Sequence, residues 1–357
     1  MRTFWISVSV IAAALLAGCG PKDEVPPADA GGGGKSAPSV GSLVGVSLTS
    51  RNHNFFIGME QGVTDELRKQ GLQIEAVVAE DSATTQQQQI DTFIRKGVKA
   101  IIMVPADATQ AATPVEAANK AGIPIFCIDR RVTDPAAKVT ATIETDNKAM
   151  GEEAAKYGLK LLCERHKLDP AKPEDVKKLS ATVVHLWGIP EASSAQDRAA
   201  GFERVFNKGT TPGVKVIKAV GNFNAKKAQE EMAPVLKANP GIELILCHND
   251  DNAIGALNAI VDAKGKREAA TDPKRILIVG MDGNKPAIEA IRKGDIEATV
   301  SQEPIKMGEM TVTQVKMVLD GGKPEKEYIA VPHHLVTKKE ADEGKGKLWA
   351  DVLRGAK

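Results

Sequence analysis

Two doubly wound α/β lobes, each a parallel sheet covered by helices, form the fold class that this chain predicts. Three observations carry it. Short apolar runs alternate with helical patterns from Leu43 onward. The runs are continuously apolar, as strands buried on both faces are. Their number, about ten over roughly 300 residues, suits two sheets of ordinary domain size better than one.

The strand-like runs fall at 43–48, 74–79, 99–104, 123–128, 139–143, 181–187, 214–220, 243–248, 276–281 and 296–301. Helical periodicity fills most of the gaps. Phe56, Met59, Val63 and Leu67 share one face; so do Met150, Ala154, Tyr157 and Leu161. Ala228, Met232 and Val235 form a third stripe, and Ile254, Leu257 and Val261 a fourth. Gly71, Gly97, Gly122, Gly265 and Gly294 mark stops. The segment 163–180 is highly charged, holds two prolines and reads as a surface excursion. "QQQQ" at 86–89 lies within a helical stretch and is too short to carry an argument from low complexity.

The first 41 residues stand outside this pattern. "MRTFWISVSVIAAALLAGC" has a basic start at Arg2, an apolar stretch from Phe4 to Ala17, then small residues, the build of a secretory signal. The apolar part is shorter than the roughly 20 residues of a membrane-spanning helix. "LAGC" resembles the bacterial lipobox, which implies cleavage that leaves Cys19 as a lipid-modified N-terminus. Residues 20–41, rich in Gly, Pro, Ala and Ser, read as a flexible tether reaching about 25 Å from the anchor. Export and anchorage on a membrane, facing the periplasm or cell exterior, are therefore expected. Cys127, Cys163 and Cys247 read as buried small hydrophobes; three cysteines allow one disulfide at most, and their spacing is not that of a metal site.

Composition excludes partners by charge. The chain has 47 basic and 46 acidic residues, a net +1, so no nucleic acid or acidic surface is implied. Aromatics make up only 4%, so aromatics gathered at one site carry weight.

In parallel sheets ligands bind at the carboxyl ends of the strands. Here those ends are polar. "IPIFCIDRR" runs from a strand into Asp129, Arg130 and Arg131. "LILCHNDDNAIGA" ends in Asn249 and Asp250, "ILIVGMDGNKPA" in Met281, Asp282 and Gly283, and "IEATVSQEP" in Gln302. "VHLWGIPEASSAQDRAAGF" ends a strand near Trp187 and places Arg198 a few residues into the next helix, and "AVGNFNAKKA" ends in Asn222, Phe223 and Asn224. "GVSLTSRNHNFF" presents His53, Asn54, Phe55 and Phe56 at a helix start. A polar residue after a strand is often only a helix N-cap, as Asp146 or Asp250 can be. Seven such ends with this mixture are less easily dismissed. A sugar hydroxyl both donates and accepts. Asp129 and Asp282 accept, Arg130 and Arg198 donate, and Asn249 and Gln302 do both. Phe55 or Phe56 from one lobe and Phe223 from the other can cover the C–H faces of a ring.

The order and spacing of "IDR", "QDRAAGF", "HNDDNAIGA", "VGMDG" and "ATVSQ" resemble the ribose-binding family of bacterial periplasmic sugar-binding proteins over residues 43–337. The resemblance implies the type I periplasmic binding protein fold, with lobes joined by a three-segment hinge. It divides the mature chain into 42–145 plus 303–330 and 146–302 plus 331–357. It places ligand contacts on His53, Phe55, Phe56, Asp129, Arg130, Arg198, Phe223, Asn249, Met281, Asp282 and Gln302. His53 stands where the family commonly has Asn, Met281 where the ribose binder has an aromatic, and Asn54 where Pro is common.

These readings converge on a non-catalytic, cofactor-free, monomeric solute-binding lipoprotein. It would capture a monosaccharide and present it to an ABC-type permease, or to a chemoreceptor or sensor kinase in the sensing alternative. A glycosidase with Asp129 and Asp282 as its acids is disfavoured, because flanking arginines should keep both ionised. No metal motif, phosphate loop or nucleophile elbow is present. A sugar-responsive repressor would need an N-terminal helix-turn-helix where the leader and tether stand.

Overall fold

The computed structural model describes residues 43–354; the leader, Cys19, the tether and residues 355–357 lie outside the described residues. The first sheet contains β1 (Leu43–Leu48), β2 (Gln73–Val78), β3 (Ala100–Met103), β4 (Ile125–Ile128), β5 (Ala141–Thr145) and a late strand, β11 (Tyr328–Val331). The second contains β6 (Ala181–Trp187), β7 (Val214–Val220), β8 (Ile242–Cys247), β9 (Leu277–Asp282), β10 (Ala298–Ser301) and β12 (His334–Thr337). The strand orders are β11-β5-β4-β3-β1-β2 and β12-β10-β9-β8-β6-β7. In each sheet the lobe's first strand thus lies between its second and third, the doubly wound pattern whose order reversal opens a crevice. The chain changes sheet after β5, after β10 and again between β11 and β12. One pairing departs from the parallel expectation: β12 runs antiparallel to β10.

The central strands bury both faces of the pleat. On β4, Phe126 and Ile128 face one core with α1 (Asn54–Lys69) and α10 (Pro304–Leu319), while Ile125 and Cys127 face α2 (Ala83–Lys96) and α3 (Ala112–Lys120). On β8, Leu244 and Leu246 face α4 (Asn147–Arg165) and α6 (Ser193–Val205). Ile245 and Cys247 face α8 (Asp250–Lys264). Each fully buried Val, Leu or Ile contributes about 1.5–3 kcal/mol, which makes these alternating faces the main source of stability. Cys127, Cys163 and Cys247 are all free and buried, as small hydrophobes.

The glutamine run is structural. From α2, Gln86 donates to the Val104 carbonyl (2.8 Å) and accepts from the Ala106 amide (2.9 Å). Gln89 donates to the Val78 carbonyl (2.8 Å) and accepts from the Ser47 hydroxyl (2.8 Å). These bonds tie off the carboxyl ends of β1, β2 and β3, where backbone groups leave the ladder and need other partners.

Candidate functional site

The carboxyl ends of both sheets meet around a cavity. The first lobe contributes His53, Phe55 and Phe56 beyond β1, Asp81 beyond β2, and Asp129 and Arg130 beyond β4. The second contributes Ile189, Ser194 and Arg198 beyond β6, Phe223 beyond β7, Asn249 beyond β8, Asp282 at the end of β9 and Gln302 beyond β10. Ten of the eleven expected residues line it. Met281 does not: it packs with Met150, Leu244, Val279 and Val300 in the second lobe's core. The reason is the pleat, which turns neighbours in a strand to opposite faces and leaves only the terminal Asp282 toward the cavity.

Strand-end chemistry alone did not single out Asp81, Ile189 and Ser194. Asp81 follows a recognised strand, but Ser82 accepts from the Thr85 amide as helix N-cap and offers the ordinary explanation of that polar turn. Backbone strain marks Asp81 but not Ile189 or Ser194. Among the described residues, seven non-glycine residues have positive φ, and four of them line the cavity: Asp81 (54°), Asp129 (67°), Phe223 (58°) and Asp282 (115°). Such conformations cost about 1–3 kcal/mol each and persist where surrounding structure holds them. Gly188 helps to hold one, since a Cβ there would lie 2.1 Å from the Phe223 ring.

The acids and arginines form two linked groups. Arg198 pairs with Asp282 Oδ1 (3.2 Å) and donates through Nε to Asn147 Oδ1 (2.8 Å) and through Nη1 to the His248 carbonyl. Gln302 Nε2 donates to the same Asp282 oxygen (2.7 Å), while its Oε1 accepts from Thr145 Oγ1 (2.6 Å) at the first crossing between sheets. Asp282 and Gln302 are thereby fixed before any ligand arrives. Asp129 and Arg130 are freer. Arg130 Nε lies 3.7 Å from Asp129 Oδ2, and Arg130 Nη1 lies 4.0 Å from Asp81. Both residues are buried, at 4% and 3% exposure. Arg130 Nε has no hydrogen-bond partner, and among the described residues none donates to the Asp129 carboxylate. The Arg130 guanidinium lies 5.7 Å from the Phe56 ring centre and 5.9 Å from that of Phe223, so aromatic faces of both lobes frame one cation.

Burial outweighs the arginines. It raises the Asp129 carboxyl against the pull of Arg130 and Arg198. It pushes Asp282 up to about 6 against Arg198 and the Gln302 hydrogen bond. The arginines therefore do not bring either carboxyl below its ordinary range: desolvation at nearly complete burial is the larger effect.

Two contacts close the rims. His53 Nδ1 meets Asp251 Oδ2 of α8 at 3.1 Å. On the other side Arg131 bonds Asp197 of α6 through both Nη atoms, and Glu144 of β5 through Nη1 (3.0 Å). The third charge of "IDRR" thus spans the cleft instead of lining it.

The sequence matches the periplasmic binding protein domain family over residues 44–323. It is 30% identical over 296 residues to the ribose import binding protein of Bacillus subtilis, covering 83% of this chain and 87% of that one. Among solved structures, the binding protein of the arabinose ABC transporter of Shewanella, bound to L-arabinofuranose, superposes with a TM-score of 0.76 at 26% identity, covering 88% and 99% of the two chains. A solute-binding protein of Actinobacillus succinogenes bound to D-allose gives 0.72 at 25%, covering 85% and 99%. The two sheets, the cleft between them and these likenesses make one case: the chain belongs to the periplasmic binding protein family, among the sugar-binding proteins of ABC transporters, and is not an enzyme.

Proposed function

We propose that this protein captures a neutral monosaccharide in the interlobe cleft and delivers it, lobes closed, to an ABC-type importer. One observation carries the ligand class. Asp129 offers a buried acceptor and Arg130 Nε a buried donor, each without a hydrogen bond from the protein, between aromatic faces. Leaving such groups unpaired costs about 1–3 kcal/mol each, and a hydroxylated ring supplies both missing bonds. The prearranged Arg198–Asp282–Gln302 group supplies a second set from the other lobe. The relatives named above bind ribose, L-arabinofuranose and D-allose, which supports a pentose or hexose here.

Closure is read as a hinge at the three crossings, the lobes being 42–145 plus 303–330 and 146–302 plus 331–357. The ligand favours the closed form by touching both lobes at once. The protein acts as a monomer, held by a lipid on Cys19 and kept off the membrane by the tether.

Thermal-shift screening of a monosaccharide panel, followed by calorimetry, tests the ligand class. Asp129→Ala should weaken the best ligand at least 100-fold, as loss of two charge-assisted bonds of about 1.5–3 kcal/mol each implies. Its unfolding should stay cooperative. An unchanged dissociation constant removes Asp129 from the site. Cys19→Ser should move the protein from the membrane to the soluble fraction; persistent anchoring refutes the lipid.

A further inference from the structure

The cleft holds one residue in a conformation that side-chain-bearing residues avoid. Asp282 has φ 115°, beyond the left-handed helical region. Its carboxylate is held by Arg198 and Gln302, as described. Its carbonyl is held separately. One lone pair accepts from the Gln302 amide (3.0 Å), the ordinary continuation of the sheet. The other accepts from the indole Nε1 of Trp349 (3.1 Å), 67 residues later.

Trp349 opens α12 (Trp349–Val352), a single turn near the C-terminus, and is 3% exposed. This turn touches both lobes. Against the second, Asp351 forms a two-point pair with Arg292 of α9 (Lys285–Lys293), at 3.0 and 2.9 Å. Against the first, Trp349 and Leu353 pack over Gly58 of α1, where an added methyl would meet each at 3.5 Å. Arg354 donates its amide to Gln61 (3.0 Å) and pairs with Asp65, both on α1. The segment therefore runs as a strap from α9 to α1. It lies beyond residue 323, where the family match ends.

We infer that Trp349 is a positioning residue for the cleft: its indole N–H holds the Asp282 carbonyl in the strained turn that aims the carboxylate at the ligand. Because the same ring rests on the first lobe, the seat of the strap couples lobe closure to the shape of the binding turn. Asp282 keeps its Gln302 bond when the indole donor is removed, and the Gly283 and Asn284 amides keep theirs to Thr299 and Asp250, so the lobe folds while the Asp282 carbonyl loses one of its two hydrogen bonds.

The experiment compares two variants of the full-length protein. Trp349→Phe keeps an aromatic ring over Gly58 and deletes the N–H. Leu353→Ala trims packing of the same strap and keeps the N–H. Hydrogen–deuterium exchange is measured over residues 281–286 without sugar, then affinity is measured for the best ligand of the panel. Trp349→Phe should raise exchange across 281–286 about tenfold and weaken affinity about tenfold, while Leu353→Ala stays within about twofold of the parent in both. The affinity half rests on the reading of the cleft as a sugar site, whereas the exchange half does not. If the parent binds no sugar, that reading fails and the exchange comparison still decides the role of Trp349. Exchange that is unchanged in Trp349→Phe, or raised equally in both variants, overturns the proposal and leaves the strap as packing alone.

Discussion

The two rims of the cleft are closed by different physics. On the Arg131 side the charge is permanent and the contacts are many. A guanidinium fork grips Asp197 and also reaches Glu144, which is 1% exposed, while the Arg131 amide donates to Ser193 Oγ (3.0 Å). The Ala108 amide adds a bond to the Glu191 carbonyl (3.3 Å). On the His53 side one imidazole meets one carboxylate, and that carboxylate also accepts from Asn249 Nδ2 (3.2 Å). A planar fork fixes geometry as well as distance, which sets the register in which the lobes meet. A lone His–Asp contact fixes little geometry, but its charge titrates near physiological pH. In the proposed closure the difference separates two tasks, alignment of the lobes on one rim and adjustment of their closure on the other.

A buried histidine pair must be accounted for before the rims are compared at different pH, and it produces the largest expected effect. Trp187 Nε1 donates to His185 Nδ1 (3.1 Å), so the His185 proton sits on Nε2 and bonds His248 Nε2 at 2.7 Å. Burial, with a smaller push from Lys218, lowers His185 to about 3, and burial lowers His248 as well. The folded state keeps both neutral while the unfolded chain takes up protons below about 6.5. The pair's contribution is therefore present at neutral pH and is lost as pH falls below 6.5. Between pH 7.5 and 5 the His185 share amounts to about 2 kcal/mol. Asp282, raised to about 6, pulls the other way over the same interval, so the readout is a difference. In urea unfolding at the two pH values, the stability gap between the parent and His185→Phe should shrink by about 2 kcal/mol on acidification. An unchanged gap would show that the pair is not neutral in the fold.

The next effect tests the alignment rim. Arg131→Ala removes the fork between lobes; Arg131 and Asp197 are 34% and 20% exposed, so solvent screening caps the loss at about 1 kcal/mol. Affinity for the best sugar should fall about fivefold, because in the proposed closure only the closed form makes the contact. Arg131→Lys should recover only part, since an ammonium keeps the charge without the fork. If Arg131→Ala binds like the parent in calorimetry, the contact is present but does not bias closure.

Arg131 also shows where sequence reading stops. The transition from "IPIFCI" to three charges was visible, and with it the strand end and the cleft. Which charge would line the cleft was decided by partners that lie 13 and 66 residues away. The strand ends were legible because a parallel sheet exports its ligand groups there, a rule that needs only the apolar-to-polar boundary, and the resemblance to the ribose-binding family chose among their residues the ten that line the cleft. Met281 was misplaced because the pleat, not the chemistry of the residue, decides its face. The strands β11 and β12 went unread for a related reason. They are four residues long, and β11 alternates exposed and buried, so neither makes the continuous apolar run that marked the others. The positive φ values of Asp81, Asp129 and Phe223 leave no trace in composition, because local sequence preference there is overruled by tertiary restraint.

The adjustable rim gives the smallest effect and the sharpest one. Burial opposes protonation of His53, but the hydrogen bond and charge of Asp251, followed by the charges of Asp282 and Asp81, outweigh it, so its pKa is raised. Asp251 belongs to the other lobe, so opening the cleft removes that support. A histidine whose pKa is raised in the closed state stabilises that state fully below its ordinary value near 6.5, and the benefit is lost as pH rises through the closed-state value. Affinity should therefore be about two- to fivefold higher at pH 6 than at pH 8, the 0.2–1 kcal/mol scale of a part-exposed ion pair. Asp282 titrates in the same window and would weaken binding as it protonates, which makes the second variant necessary. Asp251→Asn keeps the shape and an acceptor while deleting the charge. It should lower the ratio of affinities at pH 6 and pH 8 relative to the parent, at a cost of about twofold in affinity at pH 6. Arg131→Ala should leave that ratio as it is in the parent. Equal ratios in the parent and Asp251→Asn would mean that His53 carries no closure charge, and the two rims would then differ only in strength.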